Sequence, residues 1–256
     1  TTATSIGGIN ASSLDLSSGG AITDTAGAII LVSGLATLGN AGAAAITLGD
    51  DASDSVNFGT LNLNGTTVTV TEDSATELTG VSASALTLTS GGAITDSGVL
   101  DIGGAASFIT TAANGNVELD QASDVDGTLS ATTNGSGIVS ITNLTDAIDL
   151  GTISTTALTV GTVGAITDAL GSTIAVSGLA TLGNAGSDVI TLGDDATDVT
   201  NFNSLNLNGT TVTVTEDSST ELSGVSASSL AITSAGAITD SGVLDIGGAA
   251  SFTTTA

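Results

Sequence analysis

Carboxylates are the only ionisable side chains this sequence offers: 26 Asp and Glu stand against no Lys, Arg or His. A Ser or Thr nucleophile needs a neighbouring base such as His or Lys to take its proton, and both types are missing, as are Cys and Tyr. What remains is the carboxylate pair, the arrangement with which glycosidases cleave sugar chains. Asp50/Asp51, Asp194/Asp195 and Glu72/Asp73 are adjacent pairs of this kind. They recur with an internal repeat and sit among turn residues. No Trp or Tyr can carry a sugar ring, and no cationic side chain can clamp an oxyanion. The expectation is a chain that is not an enzyme and requires no cofactor.

A second acidic pattern points to metal chemistry. Two residues after an inward-facing aliphatic come Asp24, Asp50, Glu72, Asp96, Asp168, Asp194, Glu216 and Asp240, with Asp120 displaced by one place and Asn143 as the exception. Stacked on successive coils about 5 Å apart, neighbouring carboxylates repel by about 1 kcal/mol in bulk water and about 3 to 4 kcal/mol at an effective dielectric near 20. Hard divalent cations, Ca²⁺ above all, would relieve that repulsion. The rival reading is that these acids cap turns on a solvated face. Neither the EF-hand loop nor the Gly- and Asp-rich nonapeptide of calcium-binding β-rolls occurs here.

The rest of the composition is equally selective. Pro, Met and Trp are absent, the aromatics are four Phe, and 40% of residues are hydrophobic, enough to build a core. Without Lys or Arg the chain cannot neutralise phosphates, which argues against nucleic acid as a partner. The longest apolar run, Ala28 to Val32, falls far short of the roughly 20 residues that cross a bilayer. No initiator Met or signal peptide lies in the stretch, so any targeting segment is expected outside it.

Self-similarity decides the architecture that positions these side chains. Residues 33–108 match 177–252 at 62 of 76 positions, an offset of 144. Gly-Ala-Ile-Thr-Asp recurs at Gly20, Gly92, Gly164 and Gly236, at half that offset, 72. Aliphatic pairs such as Leu14/Leu16, Ala36/Leu38, Leu61/Leu63, Leu86/Leu88 and Ala106/Phe108 then divide the larger block into six units averaging 24. Apolar residues at i and i+2 mark short strands, as in Leu205-Asn-Leu207, Val212-Thr-Val214 and Leu222 to Val225, with Asn208-Gly209 and Glu216-Asp217-Ser218 as turns. Such units cannot close a core singly and must stack. The reading is an all-β parallel β-helix, three short strands per coil and about 24 residues per coil, running through residues 1–256 as one segment of a longer array. A β-sandwich array is the alternative fold.

The phrases Gly91 to Gly104, Leu35 to Leu48 and Val68-Thr-Val-Thr resemble the β-helical repeats of filamentous haemagglutinin-like adhesins and autotransporter passengers. That resemblance implies a right-handed coil, export to the surface of a Gram-negative bacterium, and a role as a stalk, filament or adhesive shaft. Direct binding of a carbohydrate or receptor is the alternative function, and open coil ends favour self-association, end to end or lateral. Outward Thr67, Thr69 and Thr71, with copies Thr211, Thr213 and Thr215, are absent from most coils, so they are too sparse for an ice-matching array. Asn-x-Ser/Thr triplets at Asn10, Asn64, Asn134, Asn143 and Asn208 are expected by chance in so Asn- and Thr-rich a chain.

Overall fold

A computed structural model describes residues 2–39, 44–183 and 189–255. Residues 40–43 and 184–188, parts of the repeated segments, lie outside the described residues, as does the side chain of Asn143.

Every strand pairing among the described residues is parallel, and 23 strands join in one wound sheet. This is the expected parallel β-solenoid, with about 11 turns and, among the described residues, no helix. Inward positions carry Ile, Leu and Val, which are almost all fully buried, for example Ile22, Ile46, Leu61, Val68 and Leu86. Outward positions alternate with them, so the pleat sets which side chains meet the core. One ladder runs the length of the chain: Ile22 stacks on Ile46, then Val68, Leu86, Ala106, Leu129 and Leu150. Within the strand Ile148–Thr155, where Leu150 faces Asp168, the stack steps back by two residues and continues from Ile148 through Ile166, Ile190, Val212 and Leu230 to Ala250.

The coil length differs from the expected 24. Seven turns, not six, separate Ile22 from the strand Ile166–Asp168, about 21 residues per turn. Individual turns are unequal: Leu61 stacks on Leu78, an offset of 17, whereas Ala36 stacks on Leu61, an offset of 25. The aliphatic pairs misled because they cross between faces: Leu86 stacks on Val68, while Leu61 stacks on Leu78. Likewise Leu222 stacks on Leu205 and opens a new turn instead of completing the old one. The strands also run around corners, as in Ser55–Glu72 and Val199–Glu216, with register shifts marking the bends.

The shortest turns have a structural cause. One face carries Ile30 on Val56 and Val32 on Phe58, and its twin in the second block carries Ile174 on Thr200 and Val176 on Phe202. In the next turn no strand covers Phe58 or Phe202. The chain instead cuts the corner through Glu72-Asp73-Ser74-Ala75, or Glu216-Asp217-Ser218-Ser219, leaving the upper edge of a strand to be closed by side chains.

Candidate functional site

At the truncated face the acids act as a substitute strand. Asp73 donates its N–H to the Val56 carbonyl at 2.9 Å, and its carboxylate accepts the Val56 N–H at 3.0 Å. Glu72 Oε1 accepts the Phe58 N–H at 2.9 Å and the Ser74 hydroxyl at 3.0 Å, while Oε2 accepts the Thr76 hydroxyl at 2.7 Å. The second block repeats the set with Thr200, Phe202, Glu216, Asp217, Ser218 and Thr220. Glu72 and Glu216 are each 1% exposed, so these are carboxylates inside the core. An edge N–H buried without an acceptor would cost about 1–3 kcal/mol, which is what the caps prevent. Burial pushes both glutamates above their ordinary pKa, partly offset by the three donors.

The Asp of each Gly-Ala-Ile-Thr-Asp motif has a related task. Asp24, Asp96, Asp168 and Asp240 fall in register beside Ile6, Leu78, Leu150 and Leu222, positions held by an aliphatic in the turn before. From there three of them cap the following turn: Asp24 accepts the Gly49 N–H at 2.8 Å, Asp96 the Asp120 N–H at 2.8 Å, and Asp168 the Gly193 N–H at 3.0 Å. Gly49 and Gly193 hold φ of +71° and +68°, the left-handed conformation those turns require.

The single carboxylate column expected over these eight acids is therefore not formed. Glu72 and Glu216 stack on Ser90 and Ser234, and the Gly-Ala-Ile-Thr-Asp aspartates stack on aliphatics. Turns of such unequal length put acids with the same local context at different heights and on different faces. Two local trios form in place of the column. Asp24 and Asp50 meet Asp54, and Asp168 and Asp194 meet Asp198, with one oxygen from each lying within 4.8 Å of the others. Asp54 and Asp198 were not among the expected site residues, although the shared spacing of Gly-Asp-Asp-Ala-x-Asp in both blocks marks them. Asp54 bridges the Ala28 and Asp51 N–H groups, and Asp198 bridges those of Gly171 and Asp195. Asp24 Oδ1 is buried with no hydrogen-bond partner. Burial chiefly, then the charge of Asp54 and the Asp50 carboxyl, hold Asp24 above its ordinary pKa against the pull of the Gly49 N–H. Oxygen-rich trios of this kind suit a hard cation such as Ca²⁺. Of the adjacent pairs, Asp51 and Asp195 bond back to Ser53 and Thr197 in exposed turns, and Asp73 is the ladder cap.

The register also reveals an outward hydroxyl ladder that the local pattern hid. Thr23, Thr47, Thr69, Thr87, Ser107 and Ser130 follow one another on successive turns.

Across residues 1–64, 65–132, 136–206 and 209–256 the chain matches a family described as repeats of unknown function (DUF5649). It belongs to that family. The DUF5649 copies begin at positions 1, 65, 136 and 209, in step with the motifs that start at Gly20, Gly92, Gly164 and Gly236. Each copy thus carries one Gly-Ala-Ile-Thr-Asp motif, while the buried glutamate caps recur only in alternate copies, at Glu72 and Glu216. No curated protein and no solved structure matches the chain.

Proposed function

We propose that this chain is a length of stiff extracellular shaft, a spacer or filament segment of a bacterial surface adhesin or matrix, with no catalytic role. The observation that carries this reading is the axial ladder from Ile22 to Ala250, backed by aliphatics buried turn after turn. A solenoid whose turns bond only to their neighbours transmits load along its axis and lengthens by adding repeats. At about 4.8 Å per turn, 11 turns make a rod of about 50 Å. The resemblance of its repeat phrases to those of filamentous haemagglutinin-like adhesins supports the surface location, and ladder continuation from one solenoid end to another supports end-to-end self-association. Immuno-electron microscopy of the producing cells, paired with small-angle scattering of the purified chain, tests the proposal. Label on surface fibres and a rod-like scattering profile are expected; label confined to the cytoplasm, or a compact globule in solution, would sink it.

A second reading is favoured by the recurrence of the acidic trio in both blocks, at an offset of 144: Ca²⁺ held by Asp24, Asp50 and Asp54 and by Asp168, Asp194 and Asp198. In a chain with no basic side chain, a bound cation is the available countercharge.

A further inference from the structure

A concave corner crosses four successive turns on the second-block face that Glu216 terminates. Ser154 stacks beside Ala175, and Ala175 beside Asn201, with Thr133 below and Ser177 and Asn203 along the bend. The hollow has a volume of about 530 Å³. Its depth comes from two features. The turn after Asn203 is cut short, so Ser218 forms an end wall, and Gly178 lets the bend close up where a Cβ would lie 2.7 Å from the Thr156 carbonyl oxygen.

We propose that this corner binds a neutral, hydroxyl-rich oligosaccharide lying along the solenoid axis. Three observations define that ligand. First, no carboxylate among the described residues lines the hollow, although the chain carries 26; Glu216, which ends this face, points inward with both oxygens committed to Phe202, Ser218 and Thr220. An anion would find no positive charge, and a cation no carboxylate to balance its own. Second, the side chains of Ser154, Ser177, Asn201 and Asn203 have no hydrogen-bond partner within the described chain, so amide and hydroxyl donors and acceptors face the hollow uncommitted. Third, Phe202 is 3% exposed and turned inward, so no apolar anchor is offered to a peptide or a lipid. Repeated neutral donors and acceptors spaced about 4.8 Å apart along the ladder suit a chain of sugar hydroxyls.

The first block repeats the corner in reduced form. Asn57 and Ser33 occupy the places of Asn201 and Ser177, but Gly59 replaces Asn203 and Leu31 replaces Ala175, and the hollow shrinks to about 310 Å³. Binding belongs to the second-block corner, and the first is its weaker counterpart. None of this depends on the chain being a shaft.

Nitrogen-15 NMR titration of the whole chain with xylohexaose, cellohexaose, maltohexaose and chitohexaose tests the proposal. At least one of these sugars is expected to shift the side-chain amide signals of Asn201 and Asn203. Asn201→Ala should weaken that sugar's binding at least about tenfold, and Ala175→Phe, which fills the hollow from an exposed position, should abolish it. Thr213→Ala, on another face, should leave it unchanged. The proposal is overturned if none of the four sugars moves those signals at about 20 mM. It is equally overturned if the shifts persist in Ala175→Phe, or if Asn201→Ala folds normally and binds as the parent does.

Discussion

Replacing Glu216 separates the role of its oxygens from the cost of its charge. In Glu216→Ala the buried Phe202 N–H and the Thr220 hydroxyl, whose residue is 1% exposed, both lose their acceptor. Each stranded donor costs about 1–3 kcal/mol, and relief from burying a carboxylate returns part of this, so a net loss of about 2–4 kcal/mol is expected. Glu216→Gln keeps an acceptor for Phe202 and the same volume, and its stability should stay within about 1 kcal/mol of the parent. Hydrogen exchange of the Phe202 amide is the sharpest assay, because a local loss of about 2 kcal/mol accelerates exchange about 30-fold. The Thr200 amide, held by Asp217, serves as the internal reference and should respond less. The pH dependence supplies the sign. The folded-state pKa of Glu216 is raised, so the stability it contributes is complete below its ordinary value and drains away as pH rises through the raised one. Glu216→Gln should therefore gain on the parent most at pH 8 and least at pH 4. If Glu216→Ala leaves Phe202 exchange within about threefold of the parent, the carboxylate is not closing the ladder edge and the capping argument is wrong.

Thr200 is fully buried with an unpartnered hydroxyl where the first block has Val56, so Thr200→Val should raise the urea midpoint by the equivalent of about 1–3 kcal/mol. Val56→Thr should lower it, and an unchanged midpoint in both would refute the reasoning. Gly49→Ala and Gly193→Ala place a Cβ 2.2 Å from the Thr71 and Thr215 carbonyl oxygens at positive φ, and each should cost more than about 2 kcal/mol in the same assay. Calcium at a hundredfold excess over its Kd adds about 2.7 kcal/mol per site, so Tm should rise by several degrees over that in chelator, and Asp54→Asn with Asp198→Asn should remove the difference. Equal Tm values in the two conditions would dispose of the cation reading. Among the described residues, raised pKa values at Asp24, Glu72, Asp96, Asp124, Asp168 and Glu216 outnumber the lowered ones at exposed Asp51 and Asp195. Denaturation midpoints should accordingly fall as pH climbs above about 4, and a midpoint that rises instead would contradict those environments.

Much of this protein is legible one residue at a time. Alternation at i and i+2 in Leu205-Asn-Leu207 and Val212-Thr-Val214, Gly and Asn at the bends, and near-identity at an offset of 144 suffice for stacked parallel strands around an aliphatic core, because pleat and turn chemistry are local. Missing Lys, Arg, His, Cys and Tyr likewise restrict the available chemistry without any coordinates. Which residues meet across turns was not legible. That depends on the length of each turn, and a step of 17 in place of 25 moves every later side chain to another height or face. Local spacing accordingly grouped Glu72 with Asp24 and Asp96, and only the fold separates a buried ladder cap from turn caps and draws Asp54 and Asp198 into the trios. The hollow beside Asn201 and the hydroxyl ladder through Thr23 and Thr47 are likewise products of stacking, since their members are a full turn apart in the chain and touch only once the coil is wound.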